Sequence, residues 1–303
     1  MLYYDSLFGW NRFIFMSVIQ GILLGILQGI AEFLPISSSG HLAVAQNLFG
    51  LDDIPLLFDV FLHLATLAAV CLYFWRKIWE LLKCLGRWIS RSPKVKENSQ
   101  DYDVVLAQKD LANRKIIIAI ILSTIVTGVM GIITSKLIPN LSIKVTCCGF
   151  IITSLFLILS SVIEKRSSKI SQNSDDKKNP SVSKVQALII GFMQGIGTLP
   201  GISRSGSTIA GALFCKVDRS LAGEYSFIIS IPAILGAFVL ELKDLSEVSS
   251  TIGAAPVIAG CAAAFAAGYI SLTLLMKMIK KGKLRYFALY LIPLAILGLI
   301  FLK

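Results

Sequence analysis

Charge is what this sequence has least of. Only 16% of its 303 residues are charged, against 55% that are hydrophobic, and mean hydropathy is +0.75. An ordinary soluble domain, with about 25% charged residues, is excluded. Paired cysteine spacing is also missing. Cys71, Cys84, Cys147, Cys148, Cys215 and Cys261 lie in or beside apolar runs without a CxxC, which excludes a disulfide framework and a zinc site. The N-terminal segment Met1 to Asn11 lacks a basic stretch ahead of its apolar run and an obvious small-residue cleavage site, so no removable signal peptide is expected. There is no continuous basic face either. The net charge of +11 is gathered in short stretches between apolar runs, so it reads as a set of topology determinants and not as a nucleic-acid surface.

What is present in quantity is uncharged, apolar chain. Runs at 13–31, 116–135, 145–163, 185–203, 248–276 and 286–302 are mostly near the ~20 residues that cross ~30 Å of hydrocarbon. Three basic stretches, Arg76–Lys115, Glu164–Lys184 and Lys277–Arg285, belong on the cytoplasmic side by the positive-inside rule. The connections Lys136–Lys144 and Leu242–Glu247 can then be external. This predicts six full spans at roughly 56–75, 116–136, 145–163, 221–241, 251–276 and 286–302. Two apolar stretches remain, 13–50 and 185–215, each broken by a Pro/Ser/Gly cluster. Lys184 on one side and Lys216 and Arg219 on the other require 185–215 to begin and end inside, and the same counting puts both ends of 13–50 outside. Each is expected to be a re-entrant helical hairpin, tolerated only where freed backbone faces protein or water.

The two broken stretches are copies of one another. At an offset of 166 residues, Gly25, Gln28, Gly29, Ile30, Ile36, Ser37, Ser39 and Gly40 recur as Gly191, Gln194, Gly195, Ile196, Ile202, Ser203, Ser205 and Gly206. A hairpin followed by three spans, an odd number, turns the second copy upside down. The expected fold class is therefore an all-α polytopic membrane protein with an inverted-topology repeat: residues 1–163, a cytoplasmic linker at 164–184, and residues 185–303. In such folds broken helices meet near the bilayer midplane with their N-termini aimed at anionic substrate groups.

Chemistry-bearing residues sit in these same breaks. Gln28 and Glu32 are four apart on one helix face, and a carboxylate inside an apolar run costs about 2.5–3.5 kcal/mol unless it meets a cation, a metal or water. Pro35 ends the helix, and Ser37, Ser38, Ser39, Gly40 and His41 then supply hydroxyls, free N–H groups and an imidazole, a set suited to phosphate. In the second copy, Pro200–Thr208, Arg204 replaces Ser38. A guanidinium amid some thirty uncharged residues needs an anion, and its planar fork of donors fits phosphate oxygens. Glu32 and Arg204 are the leading candidates. Asp59, His63 and Glu224 are further ionisable residues inside expected spans, to which the sequence assigns no role.

The segment Gln28, Glu32, Pro35, Ser37–His41, together with Pro-Gly-Ile-Ser-Arg-Ser-Gly-Ser-Thr at 200–208, resembles the two signatures of the undecaprenyl-diphosphatases, also called bacitracin-resistance proteins. The resemblance covers nearly the whole chain. It departs at Gln28, where many members have glutamate, leaving Glu32 as the sole carboxylate on that helix. The resemblance implies hydrolysis of a C55 polyprenyl diphosphate to the monophosphate and inorganic phosphate, with Mg²⁺ or Ca²⁺, on the outer side of a bacterial cytoplasmic membrane. That activity recycles a lipid carrier for cell-wall synthesis and gives bacitracin resistance. In that picture Glu32, Ser38, His41 and Arg204 are catalytic, with Ser38 as nucleophile and His41 or Glu32 as base, or a metal-bound water attacking directly. Glu32 and Gln28 hold the cation, and Gln28, Ser37, Ser39, Gly40, Gln194, Ser203, Ser205, Gly206 and Thr208 bind substrate. Membrane lipids and a second copy of the chain are candidate partners. The competing class is a transporter or flippase of a lipid phosphate or small anion, because inverted repeats with broken helices are also transporter architecture; a purely structural membrane subunit leaves Glu32 and Arg204 without a purpose.

Overall fold

A computed structural model describes residues 16–51, 56–90, 101–137, 143–170, 181–241 and 253–301, and every regular element among them is a helix. The N-terminal segment, the polar run Ser171–Pro180, and most of the two expected external connections lie outside the described residues. In chain order the helices are α1 (Val18–Phe33), α2 (Ser38–Leu48), α3 (Leu56–Tyr73), α4 (Trp75–Ile89), α5 (Asp101–Leu137) and α6 (Ile143–Ile170). They continue with α7 (Lys184–Ile196), α8 (Arg204–Phe214), α9 (Arg219–Glu241), α10 (Ala254–Lys280), a 3-10 turn (Leu284–Phe287) and α11 (Ala288–Phe301).

Six helical stretches are long and apolar enough to cross a membrane: Leu56–Tyr73, Val105–Thr134, Lys144–Glu164, Arg219–Leu240, Ala254–Lys280 and Leu284–Phe301. They overlap the six expected spans in order. Their outward faces carry Ile121, Ile125, Leu155, Leu274 and Leu289, exposed as lipid-facing side chains would be. The basic stretch Arg76–Lys115, expected only as a connection, contains the amphipathic helix α4 and the first turns of α5. These polar segments are helical because they satisfy each other: Arg87 donates to both carboxylate oxygens of Asp110 at 2.9 and 2.6 Å, and Lys109 pairs with Glu80 at 2.8 Å. Beneath those pairs, Leu81 and Cys84 pack on Ile116, Ile117 and Ile228.

The short helices α1, α2, α7 and α8 frame the site. Helices α1 and α7 both open with a capping box, Ser17 with Gln20 and Ser183 with Gln186, again 166 residues apart, and α2 and α8 begin and end at the same offset. Glycine lets α1 touch α10 backbone to backbone: a Cβ at Gly25 would strike the Gly260 carbonyl, and one at Gly29 would lie 2.6 Å from the Ala264 carbonyl. On α7, Gly191 meets Ser123 of α5 in the same way. Each half's first helix thus leans on a span of the other half. The end of α1 is driven into the largest apolar cluster, where Phe33 packs edge-on to Phe227 at 5.6 Å, and that anchors Glu32 one residue earlier.

Candidate active site

Glu32 is the hub. It is only 6% exposed. Its Oε2 accepts from Gln28 Nε2 at 3.0 Å and from Ser38 Oγ at 2.7 Å, while Oε1 is paired with Arg204 Nη2. The helical i, i+4 spacing places Gln28 beside Glu32. The turn at Pro35 folds the start of α2 back so that Ser38 reaches the same carboxylate, and α8 delivers Arg204 from the other repeat. Four of the residues singled out from sequence therefore converge on one point.

The pairing does not exhaust its members. Arg204 Nη1 and Gln28 Oε1 are both buried and have no hydrogen-bond partner among the described residues. A buried donor or acceptor left unsatisfied costs about 1–3 kcal/mol, so a structural ion pair accounts for only half of the guanidinium fork. An unfilled cationic donor and an unfilled amide oxygen flanking a serine hydroxyl suit a bound group that offers anionic oxygens to one and a cation to the other.

Around this centre the other serines divide. Ser37 adopts φ +70°, caps α2 without a side-chain hydrogen bond, and lies 3.4 Å Oγ to Oγ from the exposed Ser39. Ser203 is an ordinary cap, accepting from Gly206 N at 3.1 Å, with its own N–H donating to Thr153 Oγ1 at 2.9 Å. Ser205 Oγ donates to the Phe33 carbonyl at 3.0 Å, tying the second loop to the end of α1. Gly206 closes that junction, since a Cβ there would sit 3.1 Å from Pro35. Thr208 donates back to the Arg204 carbonyl at 2.9 Å and bonds Ser226. Gly40 packs under Phe150, whose ring would be 2.7 Å from an added Cβ.

Gln194 and His41, like the residues just described, are not brought to Glu32. Gln194, the repeat counterpart of Gln28, turns its Nε2 to Thr127 Oγ1 at 3.1 Å, because its neighbour at the Glu32 position is Thr198 and offers no carboxylate. His41 donates from Nδ1 to the Ser37 carbonyl at 2.8 Å and accepts at Nε2 from the Tyr290 hydroxyl at 2.8 Å. Its two ring nitrogens are occupied away from Ser38, whose hydroxyl donates to Glu32. His41 instead lines an apolar groove of about 370 Å³ between α2, α6 and α11.

One participant was not assigned from sequence. His63 of α3 places Nε2 3.4 Å from Glu32 Oε2, with Nδ1 donating to the Asp59 carbonyl at 2.7 Å. Its signal was present, an ionisable side chain in an apolar run, but nothing local says that α3 lies beside α1. Asp59 itself accepts from Gln46 at 2.7 Å, and Glu224 faces Lys77 at 3.8 Å.

Comparison with known proteins bears on this arrangement. A family described as bacitracin resistance protein BacA matches residues 21–297. An undecaprenyl-diphosphatase of Treponema denticola is 47% identical over 281 residues, 93% of this chain and 96% of that protein. Undecaprenyl-diphosphatases of Desulforapulum autotrophicum and Methanosphaera stadtmanae are each 37% identical across 91% of this chain and 95% and 94% of their own lengths. With a match that spans both broken stretches and the spans between them, the chain is a member of the bacitracin resistance protein BacA family.

Proposed function

We propose that this chain hydrolyses undecaprenyl diphosphate to undecaprenyl phosphate and inorganic phosphate, at a site opening to the outer face of a bacterial cytoplasmic membrane. The observation that carries it is the convergence of Glu32, Ser38 and the half-satisfied Arg204 from opposite repeats. The names of the relatives agree with it. The lengths of α1, α2, α7 and α8, 16, 11, 13 and 11 residues, suit re-entrant hairpins, since at ~1.5 Å per residue none reaches ~30 Å. The crosswise packing of α1 on α10 and α7 on α5 suits an inverted repeat of 1–163 and 185–303.

In the mechanism, the terminal phosphoryl group of the diphosphate enters between Arg204 and the uncapped start of α2. Arg204 transfers its guanidinium from Glu32 to phosphate oxygens, which fills Nη1 and leaves the Glu32 carboxylate free to act as base. Ser38 Oγ attacks the terminal phosphorus, its proton passes to Glu32 Oε2, and the bond to the bridging oxygen breaks to release the monophosphate lipid. Water then attacks the phosphoserine, giving inorganic phosphate and restoring Ser38. His63 steadies the second side of Glu32. Ser203, Ser205 and Thr208, whose hydroxyls are hydrogen-bonded, keep α8 and Arg204 in place, and the exposed Ser39 hydroxyl exchanges its weak contact with Ser37 for phosphate.

A divalent cation of the Mg²⁺ or Ca²⁺ class fits the oxygen donors present. Glu32 and the orphaned Gln28 Oε1 would hold it together with substrate oxygens, and among the described residues no three His, Cys, Asp or Glu side chains gather into a self-sufficient metal cage. When bound it would neutralise charge on the diphosphate. The test is phosphate release from undecaprenyl diphosphate by the purified chain in detergent, with and without chelator. Release that responds to added cation is expected in the wild type, and Glu32→Gln should lose that response. A chain that binds the lipid and releases no phosphate would point to a carrier instead.

A further inference from the structure

Helix α4 takes no part in the proposed chemistry, yet its outer face is built to a pattern. The exposed residues are Trp75, Arg76, Trp79, Leu82, Lys83, Gly86 and Ile89, spaced so that they form one stripe along the helix. Trp75 is 56% exposed, Trp79 53% and Ile89 74%. The inner face is fully used, by Leu81 and Cys84 on α5 and α9. The helix's other charges are used as well: Lys77 faces Glu224, Glu80 pairs with Lys109, and Arg87 pairs with Asp110. Arg76 and Lys83 differ. They have no carboxylate partner among the described residues, and their cationic groups lie over the rings of Trp75 and Trp79 at 5.7 and 5.3 Å.

The orientation of α4 follows from its ion pairs. Glu80 and Arg87 are about 10 Å apart along α4 at ~1.5 Å per residue, yet they end on adjacent residues of α5, Lys109 and Asp110. Helix α4 therefore crosses α5 instead of running along it. The crossing falls where α5 changes from the polar sequence Lys109, Asp110, Asn113, Arg114, Lys115 to the uncharged run beginning at Ile116. A helix lying across a span at its polar-to-apolar boundary lies in the plane of the headgroup layer. Tryptophan and leucine facing out at that depth enter the upper acyl region, and two uncompensated cations beside them meet phosphates.

We propose that α4 is an interfacial helix whose Trp75/Arg76 and Trp79/Lys83 pairs bind anionic phospholipid headgroups, each cation taking a phosphodiester while its indole enters the adjoining acyl layer. The occupant is the bilayer's own anionic glycerophospholipid. Charge decides this: a protein partner would have to match two cations set into an apolar stripe at the depth of the headgroups, whereas a membrane surface presents that combination everywhere.

The experiment uses the full chain carrying Trp10→Phe and Trp88→Phe, so that only Trp75 and Trp79 fluoresce. It is reconstituted in nanodiscs of phosphatidylcholine containing a minor fraction of phosphatidylglycerol, with one lipid or the other brominated on its acyl chains. Brominated phosphatidylglycerol should quench at least about threefold more per mole than brominated phosphatidylcholine. Arg76→Gln/Lys83→Gln should bring that ratio to about one, leaving quenching by phosphatidylcholine and phosphatase turnover in neutral detergent unchanged. Lys83→Arg should keep the preference. Equal quenching by the two lipids in the parent chain would overturn headgroup recognition, reducing α4 to an apolar anchor. Absence of quenching by either would overturn the interfacial placement and assign the face to water or a protein.

Discussion

The loop between α1 and α2 and the loop between α7 and α8 descend from one pattern, and they satisfy their polar groups in different ways. In the second loop Ser203 caps α8, Ser205 ties down the Phe33 carbonyl, Thr208 is bonded on two sides, and Gly201 supplies the left-handed turn at φ +80°. In the first loop a serine, Ser37, takes positive φ, α2 has no side-chain cap, and the Ser38 hydroxyl has a carboxylate for its partner. In the proposed mechanism the second loop is the platform and the first the reaction centre. The second copy closes its loop hydroxyls, while Arg204 Nη1 and Gln194 Oε1 stay without a partner among the described residues as Gln28 Oε1 does in the first; the first copy alone puts a non-glycine residue at positive φ in its loop and starts its second helix without a side-chain cap. At the shared offset of 166 residues the two copies differ at Glu32 against Thr198, Ser38 against Arg204, and His41 against Ser207.

The largest effect should come from removing the charged group that the second loop sends across. Arg204→Ala is expected to lower kcat/KM by about 10³-fold, the scale for losing a preorganised donor to a developing anion. Arg204→Lys should recover part of it, because a point charge cannot reproduce the fork. Phosphate release measured below KM checks both, and normal release by the alanine variant would remove Arg204 from the diphosphate site. Next in size is a serine exchanged in each loop. Ser38→Ala should lower kcat by about 10²-fold or more if its oxygen attacks phosphorus. Ser205→Ala should cost about 1 kcal/mol of stability, the worth of one hydrogen bond, with little change in kcat. Near-normal turnover of Ser38→Ala would favour a water nucleophile held by Glu32.

Much of this asymmetry could be read from the chain before any coordinates. The six spans follow from apolar length and the convergence of Glu32 and Arg204 from the cost of an unpartnered charge in lipid, while the repeat and Ser38 are legible from residues recurring at one offset and Gln28 from its helical spacing to Glu32. What could not be read depends on contacts between distant elements. Gln194 looked equivalent to Gln28 because the repeat preserves residue type, and only its neighbours Thr127 and Thr198 reveal a structural bond. His41 looked like a base by its nearness in sequence to Ser38, but Tyr290, 249 residues away, occupies its Nε2. His63 was the converse, conspicuous by composition and placed beside Glu32 only by helix packing. Helix α4 was hidden because a short segment dense in basic residues reads as a connection until its ion pairs with α5 are known.

The smallest effects concern backbone, and they have opposite signs in the two loops. Gly201→Ala forces an L side chain to φ +80° and drives its Cβ into the Thr146 carbonyl, so a loss of roughly 2–3 kcal/mol is expected from strain and overpacking together. Ser37→Gly removes the side chain from a residue already at φ +70°. Relief of about 1–2 kcal/mol of strain is set against roughly 0.5–1 kcal/mol for the added freedom of glycine in the unfolded chain. The side-chain hydrogen bond given up among the described residues is the weak 3.4 Å approach to Ser39. Ser37→Gly should therefore leave thermal stability in detergent unchanged or raise it slightly, while turnover falls a few-fold as the start of α2 loosens beneath Ser38. Thermal unfolding followed by circular dichroism, run beside phosphate release, reads both. A clear drop in Tm for Ser37→Gly would mean that the first loop is as relaxed as the second, and that its reactivity owes nothing to strain.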